Sequence, residues 1–563
     1  MTMLLLLAQI LQPPLQPGPV RLPQDRPAET RGTPSNDQGK PVLEDADSIE
    51  APSPSQPEQP HSESPSFPVP DVAGSTLYEP SKLTQIFSSC SQISDHDERV
   101  TACAAALSAQ LVSDGYINSR VAVETTGKQS ILVIREGKLV EVRVSGDQPQ
   151  LNRQVERLLR PLIGKIVNVN QLERSLQQLK QLESIRQIRA NLAKLGSDPL
   201  QATVSVAVES RASRWRGGLS LSNDGNSGTG ESRFTGSLYK NNLLTYGDTL
   251  LLYSELNSDD RPRLGTGLAS ITYQYPISNQ WSLTTALGYS SRQLIELPEP
   301  NDDLSTTQSQ GLIQANWNLL ERLGANLSAF AGISINDNNT RLDGASLPSD
   351  VPDIVRKPRT SYLRLGLNGS HQESNQIWSG SAYFLQGLNA FSYGNQLSEW
   401  GDAGITPTQS RAIGALISNQ WAISDNLTIN TQIAGQWAFA PLLPSMQFTL
   451  GSDVGLRGLP GQLISGDNGW LATIDTPWTV WRQSRQALQL VPFFGMGGVS
   501  TDTNEFSYND TVGSTGLFLR YLNGSQWELE LGYAYQFSTD DNSGPWEDWL
   551  LNDGLYAKVR FSF

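Results

Sequence analysis

From about Ser210 to Phe563 the chain repeats one pattern: segments in which apolar and polar side chains alternate, separated by Gly, Asn, Asp and Ser. Leu555, Ala557, Val559, Phe561 and Phe563 alternate with Tyr556, Lys558, Arg560 and Ser562. One segment earlier, Trp527, Leu529, Leu531, Tyr533, Tyr535 and Phe537 alternate with Glu528, Glu530, Gly532, Ala534, Gln536 and Ser538. Further back, Trp281, Leu283, Leu287 and Tyr289 alternate with Ser282, Thr284, Ala286, Gly288 and Ser290. A period of two puts the two sets on opposite faces of a sheet, so this part of the chain is β and not helical.

Two architectures satisfy the alternation, a soluble sandwich and a transmembrane barrel. The polar face of a sandwich meets bulk water and is usually rich in Lys, Glu and Thr. Here the alternate positions are often Gly, Ala, Ser and Gln, and aromatics cluster near segment ends. Small polar residues facing a lumen and aromatic girdles facing lipid are the marks of a barrel. The segments run to about 10–14 residues, enough to cross a bilayer when tilted. They number about sixteen, an even count as bacterial barrels have. The expected fold is mainly β, with a transmembrane antiparallel β-barrel over residues 212–563.

Bulk composition conceals this. Hydrophobic residues are 38%, charged residues 17% and the net charge −15, values a soluble acidic protein would have. The longest apolar run, Met3 to Leu11, is far short of the roughly 18 residues a spanning helix needs, which excludes a polytopic helical membrane protein. A net charge of −15 also argues against nucleic acid as a partner. The 13 Trp and 16 Tyr fall mostly after residue 210, where their apolar bodies and polar tips suit the two interfaces of a bilayer.

The N-terminal part reads differently. Residues 1–11 are taken as a signal peptide remnant, although no Lys or Arg precedes the apolar run; the other reading is an unprocessed tail. Residues 12–66 form a Pro-rich segment expected to be a disordered linker, since 15 of the 33 prolines lie between Leu11 and Pro70. Two α+β modules are then expected, at 67–138 and 139–211, each running strand, helix, helix, strand, strand. In the first, Ser81 to Phe87 and Val100 to Leu111 are helical, followed by strands at Val121 to Val123 and Ile131 to Ile134. In the second, Val140, Val142 and Val144 mark a strand; Asn152 to Leu162 and Gln171 to Leu182 are helical, and strands follow at Ile185 to Leu192 and Thr203 to Ser210. Cys90 and Cys103 fall on or beside inward helix faces, as two packing thiols or as one disulfide.

With those features in place, the chain resembles the two-partner secretion transporters, the haemolysin-activator and haemagglutinin-exporter family of the BamA-like superfamily. The first module is similar to that family's first POTRA domain through Asp114-Gly115-Tyr116-Ile117-Asn118-Ser119-Arg120-Val121 and Val133-Ile134-Arg135-Glu136-Gly137. The second is similar through Leu172-Glu173-Arg174, although Glu183-Ser184 stands where the family has Pro-Gly. The barrel begins with family-like runs at Asn223-Asp224-Gly225-Asn226-Ser227-Gly228 and Tyr246-Gly247-Asp248. The strongest signal is Leu456-Arg457-Gly458-Leu459, which resembles the Val-Arg-Gly-aromatic tip of the long loop that folds back into the barrel.

The resemblance implies that Arg457 pairs with an aspartate of a Phe-x-Asp-x-Gly motif. The matching stretch here is Phe493-Phe494-Gly495-Met496-Gly497, with Gly495 in the aspartate's place. A guanidinium in a confined lumen needs an acceptor. By strand parity Asp475 points inward, so it is expected to substitute. Glu528 and Glu530 are expected opposite Lys558 and Arg560 as lumen charges, either as cross-strand ion pairs or as contacts for a passing chain. Phe563 resembles the terminal signal by which barrels are recognised for assembly, and is equally a lipid-facing aromatic.

No catalytic set is visible: His61, His96 and His371 are scattered, and neither metal-ligand spacing nor a Walker-type loop occurs, so no enzyme activity and no cofactor are expected. The resemblance implies an outer-membrane pore with its modules in the periplasm. These would recognise a large secreted exoprotein in extended form, and the pore would pass it to the cell surface. Outer-membrane lipid and the barrel assembly machinery would be further partners. The alternatives are a BamA-like insertase and a passive porin.

Overall fold

A computed structural model of the chain describes residues 67–126, 129–180, 182, 184–196, 198–296, 304–502, 507–539 and 546–563. The segments 1–11 and 12–66, read as signal peptide and linker, lie outside the described residues. Two compact units are present, one ending at Ala212 and one covering Ser213–Phe563.

The first unit contains both α+β modules. In each, a three-stranded sheet has its last strand in the centre, parallel to the first and antiparallel to the second: Gln129–Arg135 lies between Asp71–Ala73 and Arg120–Thr126, and Gln201–Ser210 between Lys138–Gly146 and Ile185–Lys194. Helices cover one face. His96–Ser113 starts where the Asp95 side chain accepts from the Glu98 amide, and it buries Cys103, Leu107 and Leu111 against Leu132 and Ile134. Cys90 and Cys103 form a disulfide inside this core, with their Cα atoms 5.3 Å apart. In the second module Pro149–Leu159 and Val169–Lys180 bury Leu151, Val155, Leu159, Leu172, Leu176 and Leu179 at helical spacing.

The joint between modules is built from the Asp114-Gly115 turn. Gly115 has φ +90°, and a Cβ there would lie 2.9 Å from Asn170 Nδ2, so the position needs glycine on both counts. The carbonyl of Asp114 accepts from Asn168 Nδ2 at 3.0 Å, and that of Gly115 from the Val169 amide at 2.9 Å. The Asp114 carboxylate accepts from Tyr78 Oη, Lys82 Nζ and Gln110 Nε2 at 2.8, 3.1 and 2.9 Å. Partial burial works the other way, but these donors hold its carboxyl below the usual range.

The second unit is a closed antiparallel barrel of sixteen strands. Asn468–Asp475 and Trp478–Gln483 are two halves of one wall strand, interrupted near Pro477, since both pair with Gln486–Asp502. Closure joins Leu555–Ser562 to Arg216–Ser222 in register from Lys558↔Ser222 to Ser562↔Gly218. One rim has short turns, such as 323–324 and 524–526; the other carries long loops, such as 343–358, 389–410 and 439–467. The alternation read from sequence sets the faces. Along Trp527–Ser538, Leu529, Leu531, Tyr533 and Tyr535 are exposed outward, while Glu530 and Ala534 are buried inward. Trp281 stacks on Trp317 at 5.6 Å and Trp527 packs on Phe561 at 4.8 Å, and with exposed Trp378, Trp421 and Trp478 they ring the short-turn rim. An outward apolar band edged by tryptophans suits a bilayer and would be a liability in water.

Candidate functional site

Between wall strands Thr428–Ala438 and Asn468–Asp475 the chain turns into the lumen. The descending and returning limbs pair as a short ribbon, Phe448–Leu450 with Ile464–Gly466. Below it, Gly455 (φ +109°) and Gly458 (φ +74°) reverse the chain on either side of Leu456-Arg457. Leu456 and Leu459 are fully buried with Leu450, Phe493, Phe518, Ala534 and Tyr556, so the tip is packed against the inner wall. A Cβ on Gly458 would come within 2.3 Å of Ala534 Cβ, which explains why this position has no side chain.

The wall holds the tip by its backbone. Gln432 Nε2 donates to the Val454 carbonyl at 2.9 Å, Gln536 Nε2 to that of Gly458 at 2.7 Å, and Ser514 Oγ to that of Arg457. Neutral lumen side chains thus satisfy carbonyls that a looping backbone would otherwise leave unpaired.

The Arg457 guanidinium lies between two acids from different strands. Nη2 is 3.4 Å from Asp475 Oδ2 and Nη1 is 3.4 Å from Glu530 Oε2, while Phe518 stacks beneath at 5.8 Å. Asp475 thus lies within ion-pair distance of Arg457 and shares the arginine with Glu530. Asp475 also accepts from Asn430 Nδ2 at 2.6 Å. Glu528 and Glu530 face Arg560 and Lys558 respectively in register, and both also reach Arg520 on the other neighbouring strand, at 3.2 and 2.6 Å. Arg520, Glu528, Glu530, Arg457 and Asp475 form a network of alternating charge across three wall strands and the loop. Such pairs are held in confined surroundings where each charge needs the others.

Arg520, Gln432, Ser514 and Gln536 escaped the sequence reading. Parity alone marks Arg520 as inward, since Leu519 and Tyr521 flank it in an alternating segment; its partners depend on register between strands, which one sequence does not fix. The absent aspartate has a physical counterpart. A Cβ on Gly495 would lie 3.0 Å from Leu456 Cδ2 and 3.3 Å from Thr473 Cγ2. Leu456 therefore fills the space in which the family's carboxylate would project.

Phe563 exchanges backbone hydrogen bonds of 3.0 Å with Gly217 in both directions, and its ring lies where a Gly217 Cβ would meet Cζ at 2.5 Å. Among the histidines, His371 lies near Glu373 Oε1 at 3.3 Å on the barrel and His96 beside Arg99 in the first module, while His61 lies outside the described residues.

Comparison with known proteins agrees with this fold. The profile of the haemolysin secretion/activation protein family, ShlB/FhaC/HecB, matches residues 201–519, more than half of the chain. An outer membrane transporter CdiB from Dickeya dadantii (strain 3937) is 25% identical over 392 residues, 66% of this chain and 64% of that protein. One from Escherichia coli is 23% identical over 412 residues, 68% and 63%. The chain thus spans just under two thirds of the length of the curated relatives it matches. Among solved structures, CdiB from Escherichia coli superposes with a TM-score of 0.59 at 18% identity, covering 90% of this chain and 93% of that one. CdiB from Acinetobacter baumannii gives 0.53 at 16%, covering 92% and 95%. These solved structures share the fold. Sixteen closed strands, a loop that turns into the lumen and this match together establish that the chain is an outer-membrane β-barrel protein belonging to the haemolysin secretion/activation family ShlB/FhaC/HecB.

Proposed function

We propose that the protein is the membrane component of a two-partner secretion system: its two α+β modules act as periplasmic POTRA domains that receive an unfolded exoprotein, and the barrel passes that chain to the cell surface. The observation that carries this reading is the inward loop, pinned by Arg457 to Asp475 and Glu530, in a chain of the secretion/activation family. A lumen occupied by a held loop suits a pore that stays closed until a specific cargo arrives, whereas a passive porin needs an open one. The modules have the means to bind an extended chain, because each sheet has an edge strand, Arg120–Thr126 in the first and Ile185–Lys194 in the second. An added strand gains main-chain hydrogen bonds there with mild side-chain selectivity. With no nucleotide in that compartment, folding of the exoprotein outside would supply direction. The activity is transport and not catalysis.

Deletion of residues 67–210 is the test. The barrel should still run as a folded, heat-modifiable species, while one large exoprotein disappears from the cell surface and medium. Loss of many different outer-membrane barrels would favour an insertase; altered small-solute uptake with no exoprotein lost would favour a porin.

A further inference from the structure

The inward loop carries a second charge four residues before Arg457. Asp453 lies in the turn Ser452–Val454, and its Oδ1 is 2.7 Å from Arg233 Nη1 on wall strand Ser232–Asn241. This strand lies across the closing seam from Trp527–Ser538, which carries Glu530. Arg233 is itself oriented by Glu255, whose Oε2 is 2.8 Å from Arg233 Nη2 and also accepts from Tyr253 Oη at 2.8 Å, while its Oε1 accepts from Asn226 Nδ2 at 3.2 Å. The Arg233 side chain is 12% exposed and that of Glu255 7%, so this is an enclosed cluster and not a surface pair. The returning limb seats against the same spot. The Gly461 amide donates to the Gly225 carbonyl at 2.8 Å, and a Cβ on Gly461 would lie 2.5 Å from Asn226 Oδ1 and 3.2 Å from Arg233 Nη1. Next along, Gln462 Oε1 accepts from Arg292 Nη2 at 3.1 Å.

The two ionic contacts have opposite polarity. At one the loop presents a cation to acids of the wall; at the other it presents an acid to a wall arginine. A loop displaced or turned end for end would set like charges together, so the pair of contacts specifies a single seating as well as stabilising it.

We propose that Arg233 is a second positioning residue of the inward loop, holding the lumen closed through Asp453 independently of the Arg457 contact. The proposal concerns the closed state of the barrel whatever passes through it, and its readout is separate from secretion of any exoprotein.

The full-length protein, reconstituted in planar bilayers, provides the test. Arg233→Ala and Asp453→Asn should each raise the frequency of large-conductance openings by about 5–150-fold, the usual range for coupling between two states. Asp453→Arg should open the pore similarly, since it sets two guanidiniums together. Combining it with Arg233→Glu should return openings toward the parent level, because the loop cation then meets that acid and Glu255. Heat-modifiable migration confirms that each barrel is folded. If the wall variant does not assemble, Asp453→Asn, which leaves the wall intact, still reads the contact. Single variants that open no more often than the parent while Arg457→Ala opens freely would overturn the proposal. So would an exchanged double variant as open as its parents.

Discussion

At the scale of single residues, the site is understood through what fills space and what balances charge. Gly495 is small because Leu456 occupies the volume next to it, and Arg457 is consequently served by acids from other strands. The prediction is specific. Gly495→Asp, which brings in the carboxylate that relatives have, should loosen the loop here, because its Cβ starts 3.0 Å from Leu456 Cδ2 and overpacking costs about 1–3 kcal/mol. Adding Leu456→Ala should relieve that strain and let the new carboxylate approach Arg457. Protease nicking at the loop, measured on the folded barrel, should rise in the single variant and fall back in the double. Equal nicking in both would show that the crowding at Leu456 is not what keeps this position a glycine.

Among elements, the turn at the joint of the two modules carries a pH-sensitive side chain, whose carboxylate is held by Tyr78, Lys82 and Gln110 of the first module. The Asp114 carboxyl titrates below its ordinary range, so its contribution is fully present above the unfolded value of about 3.9 and is lost as pH falls through the lower folded value. Asp114→Asn should destabilise the 67–212 unit at pH 7 by on the order of 1 kcal/mol once solvent screening is allowed for, read as a lower melting temperature. It should also flatten the acid limb of the stability curve. A variant whose loss of stability is the same at pH 3 as at pH 7 would refute the assignment. The helices and strands of these modules were readable because their apolar residues keep strict 3.6 and 2 periods, as at Leu172, Leu176, Leu179 and at Val204, Val206, Val208. Whether Cys90 and Cys103 were joined was not readable, since both a thiol pair and a bridge bury the same helix face.

For the whole molecule, the barrel was legible from alternation because lipid on one side and a lumen on the other leave no third environment for a side chain. Neighbour relations were not legible. The tip of the loop touches Gln432, Ser514 and Gln536, and its base touches Gly225 and Arg233, contacts that exist only once strand register and closure are set. Closure itself rests on a seam in which Phe563 covers Gly217. Gly217→Val, with a side chain driven into that ring, should lower the temperature at which the barrel loses its compact gel mobility. Phe563→Ala should do so less, since it removes cover without adding a clash. If neither variant shifts that temperature, the seam is not where unfolding begins.

The reach of the loop's contacts has a consequence for how the molecule is made. Its partners run from Gly225, near the start of the barrel, to Gln536, near the end, so no partial barrel offers a complete seat for it. Contacts so distant in sequence form late and slowly. The complete seat of the loop therefore exists only in a cylinder whose last wall has arrived, which ties the order in which the loop can settle to the order in which the barrel closes.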